Sequence, residues 1–383
     1  MIRWVLLLLA LCITGCANRP VAHPSDRLFD DALFKPPSVA MDAKDVLRLS
    51  PAMQAYLRTD AVSVAFRREP HRALLDQLYT RNQLQLRYDT GMTRNAGEAF
   101  EARSGNCMSL VIMTAAFARE LGLQVRYQSV YTDPNWGRRG DLYFTIGHIN
   151  LSVGRSALQT RAFGDSPDWM TVDFLPQREL RGQRYDVIEE QTLIAMYMNN
   201  KAAEAMSQGR LDDAYWWVKT ALQQDPQLLF AYNTLGVVYQ RGGHLAQAEQ
   251  TLRFALTLEP NSTQVVGNLA QLLAGQGRSA EAQPFVDRLA RLQPDPPFKF
   301  FDLGREAMQQ GDFRRAKGLF ERELARDPDY PEFHFWLAQA YLKLGNVDYA
   351  TRHLVAARDH SGTRDEEALY AAKLARLQAQ TVH

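Results

Sequence analysis

The chain has 383 residues, 46% of them hydrophobic and 23% charged, which is enough for two domains with ordinary cores. Lys and Arg number 44 against 43 Asp and Glu, a net charge of +1 with no basic run, so nothing points to nucleic acid as a partner. Three cysteines are too few for a disulfide framework and no His-Glu-x-x-His spacing occurs, so neither a metal nor another cofactor is implied.

Residues 1–15 read as a signal peptide, with Arg3 followed by an apolar run from Trp4 to Ile13 too short to span a bilayer. Thr14-Gly15-Cys16 directly after that run resembles the bacterial lipobox. The resemblance implies a diacylglyceryl group on Cys16. Ala17 in the next position, where inner-membrane lipoproteins commonly carry Asp, implies the outer membrane, facing the periplasm. Residues 16–40, with Pro20, Pro24, Pro36 and Pro37, read as a lipidated tether that lifts the folded part off the membrane.

Residues 41–190 read as an α+β domain. Val46, Leu47, Met53, Tyr56 and Leu57, then Leu74, Leu75 and Leu78, keep helical spacing. Thr93 is expected to cap a short helix through Glu98-Ala99-Phe100. Cys107 opens the next helix, with Leu110, Val111, Met113 and Phe117 along a buried stretch ending at Leu121-Gly122. Strands are expected at 124–131, 142–153 and 169–175.

Chemistry is concentrated in that half. Once Cys12 leaves with the leader and Cys16 is lipidated, Cys107 has no partner, and a lone thiol in an oxidising compartment is either buried or used. His148 and Asp173 follow it, so nucleophile, base and orienting carboxylate come in the order Cys, His, Asp. A helix N-terminus offers the positive potential that stabilises a thiolate. The duller assignments are a buried core cysteine, a structural histidine and a turn aspartate. The other histidines lie in the tether, ahead of the motif, at the chain end or in the repeats. Gly164-Asp165-Ser166 reads as a turn rather than a serine-nucleophile block.

Thr93, Glu98-Ala99-Phe100, Arg103, Gly105-Asn106-Cys107, Ser109-Leu110, Ala118-Arg119 and Leu121-Gly122 resemble the core of the transglutaminase-like cysteine-enzyme superfamily. The resemblance implies a papain/transglutaminase-like fold, with Cys107 as nucleophile, His148 as base and Asp173 as orienter. It implies cleavage or transfer of amide or isopeptide bonds as a peptidase, amidase or transglutaminase. The backbone N–H of Cys107 supplies one oxyanion donor. For the second, Trp136, Asn95 and Tyr143 are the candidates.

Internal repetition governs the C-terminal half. Pro226, Pro260, Pro294 and Pro328 recur every 34 residues (260 − 226), and Gly209, Gly243, Gly277, Gly311 and Gly345 keep the same step, as do Ala214, Ala248, Ala282, Ala316 and Ala350. That period resembles tetratricopeptide repeats, five of them over 195–359 in an all-α solenoid, with 363–380 as a capping helix. Leu369, Ala372, Leu374 and Leu377 are expected to face inward on the cap. Phe230, Asn233, Phe298, Phe301, Arg305, Phe335 and Gln339 fall at groove positions for a protein or peptide partner, the alternative being that the aromatics pack between helices. The alternative function is an adaptor lipoprotein with an inactive N-terminal domain.

Overall fold

A computed structural model describes residues 24–59, 70–79, 86–139, 142–156, 168–174 and 184–381. The signal peptide, Cys16 and the first part of the tether lie outside the described residues, as does Gly164-Asp165-Ser166.

The N-terminal half is α+β. Helices α1 (Ala43–Val46), α2 (Pro51–Leu57) and α3 (Pro70–Tyr79) come first. Strand β1 (Arg87–Tyr88), α4 (Ala96–Ala102), β2 (Ser104–Gly105) and α5 (Cys107–Glu120) follow. β3 (Gln124–Arg139), β4 (Leu142–Gly154), β5 (Met170–Val172) and β6 (Arg184–Ile188) then form an antiparallel sheet in the order β5-β4-β3-β6. Ile149, Leu151 and Val153 alternate with His148, Asn150 and Ser152 along β4, so one face is apolar and the other polar. Both faces are buried there. The N-cap of helix α4 lies two residues later than expected, at Asn95 rather than Thr93. Asn95 and Glu98 form its capping box, while Thr93 turns away from that helix.

The C-terminal half is five helix pairs and a closing helix. The pairs are α6 (Glu190–Ser207) with α7 (Leu211–Gln224), α8 (Leu229–Arg241) with α9 (Leu245–Leu258), α10 (Thr263–Gly275) with α11 (Ser279–Leu292), α12 (Lys299–Gln309) with α13 (Phe313–Leu324), and α14 (Pro331–Lys343) with α15 (Val347–Asp359). The glycines that recur in the sequence stand at the turn inside each pair, with φ between 74° at Gly209 and 80° at Gly243. There the chain must enter the left-handed region to let Arg210, His244, Arg278, Asp312 and Asn346 donate back to the preceding helix at 2.9 to 3.0 Å. Gly304 has a different task. A Cβ on it would lie 2.5 Å from the Phe320 ring, so its absence lets α12 and α13 close.

Helix α16 (Arg364–Thr381) caps the last pair with Leu374 and Leu377 inward as expected, but Leu369 and Ala372 are exposed. Tyr370, Leu374 and Leu377 are buried, whereas Leu369 is 51% exposed. The tyrosine ring sets the phase because it packs on Phe335, with centroids 5.7 Å apart. One apolar core runs from α1 and α5 through the repeats to Ala282, and a second begins at Phe298. Pro294, Pro296 and Pro297 lie between them, and Phe298 itself has φ 62°.

Two long-range ties follow from side chains that composition hides. Residues 28–38, expected as tether, lie on the repeats. Phe34 stacks on Tyr215 at 4.1 Å, Asp31 accepts from Tyr215 and Lys219 at 2.6 and 2.7 Å, and Ser38 is held by Asp213 at 2.7 Å. The second tie joins the ends of the solenoid to one short segment. The Thr93 N–H donates to Glu204 in α6 at 2.6 Å, and the Thr90 N–H donates to the Gly362 carbonyl, just before α16, at 3.1 Å.

Candidate active site

The cysteine motif is explained residue by residue. Asn106 is the N-cap of α5; its side-chain oxygen accepts from the Ser109 N–H at 2.9 Å and the Ser109 hydroxyl at 2.8 Å. Its amide nitrogen donates to Thr93 Oγ1 at 3.0 Å, which ties the helix start to the preceding loop. Ser109 Oγ accepts from the Arg94 N–H at 2.8 Å. A Cβ on Gly105 would lie 2.5 Å from Ser109 Cβ, so only glycine lets β2 run so close to the first turn. Cys107 is thereby fixed as the first helical residue, 8% exposed.

The three residues expected from sequence come together. His148 Nε2 lies 2.8 Å from both carboxylate oxygens of Asp173, and the ring also hydrogen-bonds Cys107. With Nε2 committed to Asp173, Nδ1 is the nitrogen left for the sulfur. Asp173 follows β5, which pairs with β4, so the sheet register sets the carboxylate beside the histidine. His148 and Asp173 side chains are 6% and 4% exposed. Burial works against the charged imidazole, but its donation to Asp173 and then its interaction with Cys107 outweigh it and raise His148 to about 9. An imidazolium between a carboxylate and a sulfur is the charge arrangement of an activated thiol.

Two residues of the site were not foreseen. Asn150, two positions after His148 on the same face of β4, donates to Asp173 Oδ2 at 2.7 Å. The alternation that placed His148 on a polar face also carried Asn150, and that was its only signal. Tyr88 in β1 brings its hydroxyl to Cys107. The residue as a whole is 45% exposed, but enclosure of its hydroxyl end, then negative charge at Cys107, pushes this phenol above the usual tyrosine range. Of the residues expected as second oxyanion donor, Asn95 is occupied in capping α4, and the side chains of Trp136 and Tyr143 lie outside the described residues.

The other described histidines lie away from Cys107: His71 stands 3.7 Å from Asp168 and His360 3.4 Å from Asp329, and the rest serve packing. His334 Nδ1 lies 3.0 Å from His353 Nδ1, His334 Nε2 donates to the Pro328 carbonyl, and His244 stands edge-on to Phe34. Among the described residues no three His, Cys, Asp or Glu side chains are grouped to hold a metal ion.

The expected groove residues divide. Phe298 and Phe301 are 2% and 0% exposed and belong to the second core, packed on Phe333, so they are not groove residues. Tight packing between α12, α13 and α14 takes both rings inside. Phe230 is 40% exposed, and Asn233 accepts from Asn268 at 2.7 Å. The Arg305 guanidinium lies 5.3 Å from the Trp336 ring, and Phe335 and Gln339 are half-buried.

Tetratricopeptide-repeat family models match residues 241–299 and 301–351. A TPR repeat-containing protein of Pseudomonas aeruginosa is 28% identical over 130 residues, 33% of this chain and 22% of the relative. The type IV pilus assembly protein PilF of the same organism is 26% identical over 157 residues, 40% of this chain and 60% of the relative. The chain therefore spans less than two-thirds of the length of either relative. A solved TPR protein of Thermus thermophilus, 20% identical, covers 47% of this chain and 98% of its own, with a TM-score of 0.31. The C-terminal half is a solenoid of tetratricopeptide repeats, a module that binds protein or peptide partners.

Proposed function

We propose that this chain is a protein-binding platform whose N-terminal half performs thiol acyl transfer on amide or isopeptide bonds. The observation that carries the chemistry is the placement of both Asp173 and Cys107 beside the buried His148 ring, with Asp173 on Nε2. Cys107 Sγ attacks the carbonyl carbon and His148 delivers a proton to the departing amine. Water or an acceptor amine then resolves the thioester. Asp173 keeps the imidazole in the productive tautomer. The α+β architecture, a helix opening with the nucleophile against an antiparallel sheet bearing base and carboxylate, supports the transglutaminase-like reading. Lipidation at Cys16, on the periplasmic side of the outer membrane, completes the proposal and would bring cell-wall peptides or envelope proteins within reach.

The comparisons back a second reading better than they back catalysis. Both family matches fall in the repeats, and one relative is named for pilus assembly. On that reading the chain is an adaptor lipoprotein that assembles an envelope complex, with an idle N-terminal site. Capture of a covalent thioester at Cys107 with peptide substrates, lost in His148→Ala, is the expected result for the enzyme. Full function in cells of a correctly exported Cys107→Ala chain would replace that reading with the adaptor.

A further inference from the structure

When a thiolate adds to a carbonyl, the oxygen takes on negative charge that needs donors already in place. Helix α5 provides the first, the N–H of Cys107, which has no partner within the helix. The neighbouring strand pair provides another group at the same point. Tyr88 is in register with Gly105 in the parallel β1–β2 pair, and the Asp89 N–H donates to the Gly105 carbonyl at 3.0 Å. Because Gly105 has no Cβ to clash with Ser109, this strand lies directly against the first turn of α5. This places the Tyr88 hydroxyl beside both the thiol and the backbone N–H of Cys107. The residue is 45% exposed, so an incoming carbonyl has access beside it.

We propose that Tyr88 is a catalytic residue whose hydroxyl is the second oxyanion donor; the assignment rests on Cys107 acting as the nucleophile. The thiolate Sγ, whose proton His148 already holds, bonds to the carbonyl carbon and the π pair moves to oxygen. The oxyanion then accepts from the Cys107 N–H and the Tyr88 O–H. Its collapse re-forms the carbonyl and expels the leaving group. The phenol keeps its own proton throughout, as its burial beside negative charge favours.

Two reagents on the full chain separate this role from general support of the thiol. p-Nitrophenyl acetate acylates through an oxyanion and releases p-nitrophenolate, whereas iodoacetamide loses iodide without one. Both adducts are read by mass on the peptide carrying Cys107. Tyr88→Phe should slow acylation by about 10- to 1000-fold and change alkylation by less than about twofold. Equal slowing of both reactions would make Tyr88 a support for the sulfur. Faster acylation would make it a plug on the Cys107 N–H. Either result overturns the assignment. A wild-type Cys107 indifferent to both reagents, or to His148→Ala, would instead remove the nucleophile itself, and the donor with it.

Discussion

Asp173 presents both carboxylate oxygens to Nε2 of His148, each at 2.8 Å, and so fixes the ring from behind while the opposite nitrogen faces Cys107. Such an arrangement makes the charge on His148 a property of the fold, and its titration is open to measurement.

The His148 imidazole is raised to about 9 in the folded chain from an ordinary 6.5. A raised folded value means the charged ring contributes its full stability below pH 6.5, and that contribution is lost as pH rises through about 9. Up to about 3 kcal/mol is involved. Denaturant midpoints should therefore fall across this window in the wild type and stay flat in His148→Gln. A flat wild-type profile would mean that His148 is neutral beside Cys107.

Asn150 acts through Asp173 and is a positioning residue. Asn150→Ala removes a hydrogen bond to a charged acceptor, about 1.5–3 kcal/mol of stability. It should also lower the pH at which His148 titrates by NMR, because a freed carboxylate shares its attention with water. An unchanged titration would make Asn150 merely structural.

Phe34 tests the strap formed by residues 28–38. It is 9% exposed and stacked on Tyr215, and Phe34→Ala should cost about 3 kcal/mol. Proteolysis between Leu33 and Pro37 should quicken accordingly, while Lys44→Ala, on an exposed side chain, leaves it unchanged.

Glycines in one helix pair should respond with opposite sign. Gly304→Ala drives a methyl group into Phe320 and should destabilise by about 1–3 kcal/mol. Gly318→Ala lies within α13 with nothing within 4 Å of the new Cβ, and should stabilise by about 0.5–1 kcal/mol. Thermal melts of the two variants should move in opposite directions.

Phe230 and Phe301 separate binding from packing. Phe301→Ala empties a fully buried site and should cost about 3–5 kcal/mol. Phe230→Ala should leave stability within about 0.5 kcal/mol, since its ring is 40% exposed, and should weaken capture of a peptide partner.

The repeat phase was legible because each glycine answers a local need, a left-handed turn, that recurs at a fixed step. Cys107 and His148 were legible because cysteine and histidine are rare in the N-terminal half, whereas Asp173, one of many aspartates there, was picked out only by its order after them and by the family resemblance. Tyr88 was hidden for the opposite reason: β1 is two residues long and pairs with another of two, so no periodicity marks it. Phe298 and Phe301 were placed in the groove because repeat position alone does not say how closely α12, α13 and α14 pack. The strap reads as a tether by its prolines, and only the distant Tyr215 and Asp213 turn it into a docked segment. On the capping helix Leu374 and Leu377 were placed correctly, and only its first inward position was misread, since Tyr370 rather than Leu369 is the anchor.

A free solenoid behaves as a spring whose pitch follows its cargo. Here Thr93 holds the first coil at Glu204 and Thr90 holds the last at Gly362, so both ends are clamped to a segment that leads directly from Tyr88. The segment that follows the Tyr88 strand thus fastens the coil at both ends, and opening the coil would mean breaking one of these two hydrogen bonds.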